Sequence, residues 1–223
     1  MKFLNKLITF FWRDYKIFIS NINGLFTILL FFFVSIFIFV FAIGANKETL
    51  TSIGVGILWS LLLLSTTLSL KNYYQADFEN GSLIVMHMSG LSYELIAIMR
   101  IISQFVFIQI PFLFSIPIAS ILINLSINKI LIFLLSFFIG SFILCCLASI
   151  SASMNLLNNR NFSLGSVIVL IFSLPVIIFG VEIIKSENNF IFILNILLGI
   201  LFIFVAISPW ISSICIRLAI ENK

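Results

Sequence analysis

Charge-free apolar runs recur six times along this chain, at about 22–44, 49–70, 101–123, 130–154, 162–181 and 190–214. Crossing ~30 Å of hydrocarbon takes roughly 20 helical residues, so the pattern predicts six transmembrane helices. Four of the joints are short, at 45–48, 124–129, 155–161 and 182–189. Gly44, Asn124, Asn128 and the Asn158–Asn159 pair fall near the predicted helix ends, where breakers belong. Pro111, Pro117, Pro175 and Pro209 lie inside or near the ends of runs and predict kinks, which membrane helices tolerate.

Ahead of the first run, residues 1–20 carry a different periodicity. Lys2, Lys6, Thr9, Arg13, Lys16 and Ser20 recur at alternating spacings of four and three, which sets them in one stripe of a helix. Phe3, Leu4, Leu7, Phe11, Tyr15 and Phe18 fill the other side. A basic stripe backed by aromatic residues predicts an amphipathic helix lying in the membrane interface. Asp14 departs from the stripe, with only apolar residues three and four positions away. Solvation at the interface and a bond to a neighbouring loop or another chain fit it equally.

The fifth joint is the exception. From Lys71 to Arg100 the chain holds five of its twenty charged residues and its one histidine, His87. At about 2.5–3.5 kcal/mol for each Asp, Lys or Arg at the bilayer centre, this segment belongs outside the lipid. Asn80–Gly81 predicts a turn, with Gly81 at positive φ. Ser82 is then placed to cap a short helix over Leu83–Met88 that Ser89–Gly90 ends, and Ser92 to cap the next, with Glu94 in its first turn. The short helix is apolar, carries Leu83, Ile84, Val85, Met86 and Met88, and follows an acidic pair, Asp77 and Glu79. A plain connection needs only a handful of residues, so thirty residues of this composition predict a docking surface lying across the membrane face. Asp77, Glu79, Asn80, Gly81, Ser82, Leu83 and Met86 are its candidate partner-binding residues, and Arg13, Asp14 and Lys16 are those of the interfacial helix.

Composition agrees with lipid as the main solvent: 62% of the 223 residues are hydrophobic and 9% are charged. The chain is therefore expected to be a single transmembrane unit over 1–223. Basic residues divide unevenly. Nine lie on the face that carries both termini (four in the N-terminal helix, Lys71, Arg100, Arg160, Arg217 and Lys223), against Lys47, Lys129 and Lys185 on the other. That bias places both termini and the 71–100 segment in the cytoplasm. The basic N-terminus leads into an apolar run too long for a cleavable signal sequence, without a small-residue cleavage site. Cys145 and Cys146 are neighbours in an apolar run and Cys215 stands apart, without a CxxC or CxxCH, so all three read as packing residues.

Several chemistries lack their residues. No GxxxxGK[ST] occurs, so this chain is not expected to bind ATP through a P-loop. HExxH, GxSxG and paired carboxylates are missing from the runs, which argues against an intramembrane hydrolase. No ionisable side chain sits midway along any run, as ion-coupled carriers require. A lone His87 is weak support for a metal or haem ligand. No catalytic residue, metal site or bound cofactor is expected, and nothing resembles a nucleic-acid footprint.

The run from Trp59 through LSLKNYYQADFENGSL and HMSGLSYELIAIMR resembles the signature region of the haem exporter permease of cytochrome c maturation, the CcmB family. In that family an Asp-x-x-[Asp/Asn]-Gly-Ser-Leu turn precedes a short coupling helix and a basic residue opens the third span. Asp77, Asn80, Gly81, Ser82, Leu83 and Arg100 stand at those positions. RDYK (Arg13 to Lys16) is similar to the family's N-terminal helix, LPVIIFG (Leu174 to Gly180) to its fifth span, and SPW (Ser208 to Trp210) with Arg217 to its last. The resemblance implies an all-α polytopic membrane protein of the ABC-2 exporter type, with a cytoplasmic coupling helix between spans 2 and 3. It further implies four partners: a separate ABC ATPase that holds the ATP, a haem-handling membrane protein, a small accessory protein and a second copy of the chain. The cargo would be haem, or the outcome would be release of a haem-loaded chaperone. An export permease for another cargo, such as a lipid-linked glycan, and a non-transporting scaffold are the alternatives.

Overall fold

In the computed structural model the described residues are 2–44, 46–68, 73–157, 164–186 and 189–222, and every element among them is helical. The chain runs through α1 (Lys2–Ser20), α2 (Ile22–Ile43), α3 (Lys47–Leu68), α4 (Gln75–Glu79), α5 (Ser82–Met88) and α6 (Tyr93–Gln104). A π-helical turn, Phe105–Gln109, joins α6 to α7 (Ile110–Leu122), and α8 (Ile127–Leu157), α9 (Leu164–Lys185) and α10 (Phe190–Glu221) complete it. Six segments are long and apolar enough to cross a membrane: 22–43, 47–68, 93–122, 129–156, 167–185 and 190–221. Lys71, Arg160 and Lys223, counted in the charge bias, and the Asn158–Asn159 pair lie outside the described residues.

The predicted third span starts too late. Its helix begins at Tyr93, eight residues before the apolar run, and so takes in Glu94 and Arg100. Ser92 caps it, accepting from the Leu95 backbone N–H. Loss of charge marks where hydrocarbon begins, whereas a helix starts where its first N–H groups are satisfied, and the two boundaries differ here by two turns. The proline kinks take a specific form in this span. Pro111 lacks the N–H that would bond back to residue 107, and the π-turn ends two residues before it.

α8 lies at the centre, packed along α9 and α10, while α3 packs on α2 and α9. Between helices in lipid, close packing replaces the hydrophobic effect as the driving force, and small residues permit it. Trp59 of α3 shows how. Its indole is fully buried between α8 and α9, and a Cβ on Gly140 or on Gly180 would overlap the ring. Gly54 likewise admits Ile123, whose Cβ would lie 2.8 Å from a Cβ at that position. The interior also holds hydroxyls. Ser149 of α8 and Ser212 of α10 are hydrogen-bonded at 3.0 Å, and the three cysteines are buried and unpaired.

Candidate functional site

The segment between α3 and α6 enters through Tyr73 and Tyr74, both fully buried. The Tyr73 hydroxyl donates to the Cys145 carbonyl at 3.0 Å, and the Tyr74 hydroxyl lies 2.7 Å from Ser149 Oγ, extending the Ser149–Ser212 pair. Burial pushes the Tyr74 phenol up to about 12 and that of Tyr73 well above its ordinary value. Both therefore stay protonated at neutral pH and remain donors. Two tyrosines thus fasten the start of the segment to α8. The adjacent Tyr-Tyr pair in a polar stretch was the only sequence signal for them.

Next come α4 and the turn. Gly81 adopts φ 71°, ψ 5°, the left-handed conformation that glycine takes without strain. It occupies the N-cap position of α5, so the helix begins at Ser82, whose side chain does not cap it. Gly81 N–H bonds to the Phe78 carbonyl at 3.2 Å, and the Gly81 carbonyl accepts from Ile84 and Val85. With both sides of the turn satisfied by the backbone, a serine cap is unnecessary.

The two acids of this segment part company. Glu79 is exposed and accepts from Gln75 Nε2 at 2.8 Å. Asp77 is 8% exposed, and each of its carboxylate oxygens meets an arginine: Oδ1 pairs with Arg13 and Oδ2 with Arg100. Arg100 Nη1 also lies 3.3 Å from Asp14 Oδ1, and the Asp14 residue is 3% exposed. Both guanidinium carbons sit over the Phe10 ring, at 5.7 and 5.9 Å from its centroid. Arg13, Asp14, Asp77 and Arg100 thus form a four-charge cluster of zero net charge that joins α1, α4 and α6. The fit of Asp14 is a bond within the chain, one of the two readings its sequence position left open.

Asp77, expected as a partner-binding residue, is buried rather than presented on the surface. Its oxygens are committed inside the molecule, and turning it outward would take a partner from half-buried Arg13 and leave buried Arg100 with Asp14 alone. Leu83 is likewise fully buried, beneath α5, and belongs to the core. Met86 is half-buried, and its sulfur accepts from Arg13 Nη1 at 3.2 Å. What α5 presents to solvent is Ile84, Val85, His87 and Met88; Val85 is 67% and Met88 81% exposed. Asn80 is exposed and Ser82 half-exposed beside them.

α1 is the second support. Its predicted basic stripe divides: Lys16 is exposed, while Lys6 Nζ donates to the Ser89 carbonyl at 2.6 Å and Arg13 reaches Met86 and Asp77. Lys6 and Arg13 therefore grip α5 at its end and its middle. Burial lowers the Arg13 pKa from its ordinary value while Asp14 raises it; at neutral pH the guanidinium remains charged. The aromatic side of α1 rests on the π-turn, where Phe107 meets Phe11, Tyr15 and Phe18 at centroid distances of 5.0, 5.8 and 5.2 Å. His87 lies outside the cluster. Its Nδ1–H donates to the Leu91 carbonyl at 3.0 Å and its ring stacks on Tyr93 at 4.1 Å. Among the described residues no group of three or more His, Cys, Asp or Glu is placed to hold a metal ion.

The site is thus a short helix, α5, hydrogen-bonded to α1 through Met86 and Ser89 and preceded by α4, whose Asp77 is ion-paired to α1 and to α6. Known proteins share this chain's sequence over most of its length. The model of the CcmB protein family matches residues 5–219. "Heme exporter protein B" of Haemophilus influenzae is 25% identical over 200 residues, covering 86% of this chain and 88% of that protein. The protein of the same name from Bradyrhizobium diazoefficiens is 30% identical over 169 residues, covering 76% of each. That of Rhodobacter capsulatus is 27% identical over 208 residues, covering 92% of this chain and 95% of its own length.

Proposed function

This chain belongs to the CcmB protein family, and from that premise we propose that it is the membrane component of an ABC-type haem exporter complex serving cytochrome c maturation. The name its relatives carry, "Heme exporter protein B", supports haem as the cargo or as the load of what is released. ATP is hydrolysed on a separate chain, since this one carries no P-loop. That ATPase docks on the exposed face of α5. The haem-handling protein, the small accessory protein and a second copy of this chain complete the assembly. Both termini and α5 face the cytoplasm, in accord with the excess of basic residues on that side.

The observation that carries this reading is the clamping of α5. Val85 and Met88 stand in solvent on a helix too short to be stable alone, yet Lys6 and Arg13 hold it from beside, its own Leu83 is buried in the core, and Asp77 of α4 fixes Arg13 in turn. A connection with no further task has no use for so many anchors under a mostly apolar outer face. Apolar side chains at the centre of an interface supply most of its affinity, and rim charges such as Glu79 orient the partner. Movement of the ATPase then displaces α5 and, through Asp77–Arg100, the cytoplasmic end of the third span. Of the two outcomes, release of haem-loaded chaperone is favoured. The sole histidine, His87, is engaged with Leu91 and Tyr93 outside the spans, so no histidine lines a path for haem iron.

Affinity purification of the full chain with its neighbouring gene products tests the docking face. The Val85→Asp/Met88→Asp double variant is expected to retain at least ten-fold less ATPase than the unaltered chain. Its elution and thermal melting in detergent should stay unchanged, because neither residue packs inward. Full retention of the ATPase by that variant removes α5 as the docking helix.

A further inference from the structure

One cleft in the molecule gathers buried polar atoms that no described residue satisfies. It opens between α1, α2 and the α6–π-turn region, with a volume of about 80 Å³. Its polar end is formed by Asp14, Arg100 and Ser103, with Asn21 nearby, and its other end by Phe18, Leu25, Ile28 and Phe107. Asp14 and Ser103 are each 3% exposed, yet both Asp14 carboxylate oxygens and the Ser103 hydroxyl lack a hydrogen-bond partner, as does Arg100 Nε. The ion pair between Asp14 and Arg100 runs through Nη1, so the Nε–H edge is left over. Buried polar atoms are normally paired, and a cluster of orphans in one open cleft marks the place of a missing partner.

We propose that this cleft binds the headgroup of a phospholipid bearing a primary ammonium, with its acyl chains running down the apolar end. Charge selects the class. A lone cation brought to Asp14 would meet Arg100 on the same carboxylate, and a lone anion brought to Arg100 would meet Asp14. A zwitterion answers both: its ammonium donates to Asp14 Oδ2, the carboxylate oxygen outside the ion pair, and its phosphate accepts from Arg100 Nε–H and the Ser103 hydroxyl. A quaternary ammonium has no N–H to give, so a choline headgroup leaves that oxygen unfilled. Position agrees with the chemistry. α1 has exposed Ile8, Trp12, Ile17 and Ile19 of a helix lying at the interface, and the cleft runs from that helix toward the first and third spans. A lipid seated here would brace the Asp14–Arg100 pair from the side opposite Asp77 and so help set the position of α6.

The test uses the full chain, delipidated in detergent and titrated separately with dioleoyl phosphatidylethanolamine, phosphatidylcholine and phosphatidylglycerol, with binding read by native mass spectrometry. The ethanolamine lipid is expected to occupy one site at least ten-fold more tightly than either of the others. Asp14→Asn should bring ethanolamine and choline lipids to equal affinity. Gly24→Leu supplies a variant outside the charge cluster. Gly24 lines the cleft, a Cβ there makes only ordinary contact with Asn21 at 3.5 Å, and leucine suits a helix better than glycine. It should fold normally, fill the entrance and lower the ethanolamine-lipid affinity about ten-fold. Equal binding of ethanolamine and choline lipids by the unaltered chain overturns the proposal, as does tightest binding of the glycerol lipid. So does a Gly24→Leu protein that keeps the full preference; the cleft would then hold water alone.

Discussion

Arg100→Leu is expected to be the most damaging single change in the half of the protein that carries α1, α4 and α5. Arg100 is 7% exposed and, among the described residues, is the cation that reaches both Asp14 and Asp77. Removing it leaves two buried carboxylates to share Arg13, and breaking a buried ion pair in this way costs about 3–5 kcal/mol. Unfolding of the purified chain in mixed micelles should report a loss of that size, and c-type cytochrome output in a complementation host should fall at least ten-fold. Arg100→Lys should recover only part, since an ammonium lacks the fork that spans two carboxylates. The sharper check is a second-site change. With Arg100→Leu and Asp77→Leu together, Arg13 and Asp14 remain as a balanced pair, and the double variant should be more stable than Arg100→Leu alone. If the two changes simply add, the four charges do not act as one unit.

Trp59→Ala should carry the largest penalty within the membrane, about 3–5 kcal/mol, because it empties a fully enclosed site of the largest side chain. The same site can be attacked from the other side. Gly180→Ala places a methyl group where the indole stands, and overpacking of this kind costs about 1–3 kcal/mol. Combined with Trp59→Leu, which withdraws the ring, Gly180→Ala should become nearly neutral. Thermal unfolding in detergent of the four proteins of this cycle measures the coupling. A Gly180→Ala penalty of equal size with and without the tryptophan would show that the notch is not what receives it.

The six spans were legible in the sequence because a bilayer imposes one requirement on each: roughly 20 residues without a charge. Hydrophobic runs gave their cores well and the start of the third badly, since Glu94 and Arg100 belong to its helix but not to its hydrocarbon length. Local chemistry also read through: the Gly81 turn, the Ser92 cap and the short helix before Ser89–Gly90 each rest on residues within a few positions of one another. The charge cluster did not. Arg13 and Asp77 stand 64 positions apart, and Asp77 and Arg100 stand 23 apart. No periodicity connects them, so Asp77 looked like a solvent-facing acid and Asp14 like an anomaly of its helix. The glycines around Trp59 were hidden for a similar reason. A small residue in a membrane helix signals a close approach, but the sequence does not say which side chain arrives.

If α5 is the surface that receives the ATPase, Val85 lies against that partner in the assembled complex. A photoreactive phenylalanine analogue placed at Val85, in the complex as purified, tests the contact directly. Illumination should attach the ATPase to the chain at Val85, while the same analogue at Lys47, at the far end of the second span, should capture none. An intact complex that gives no adduct at Val85, or one at Lys47 instead, would contradict both the docking face and the orientation.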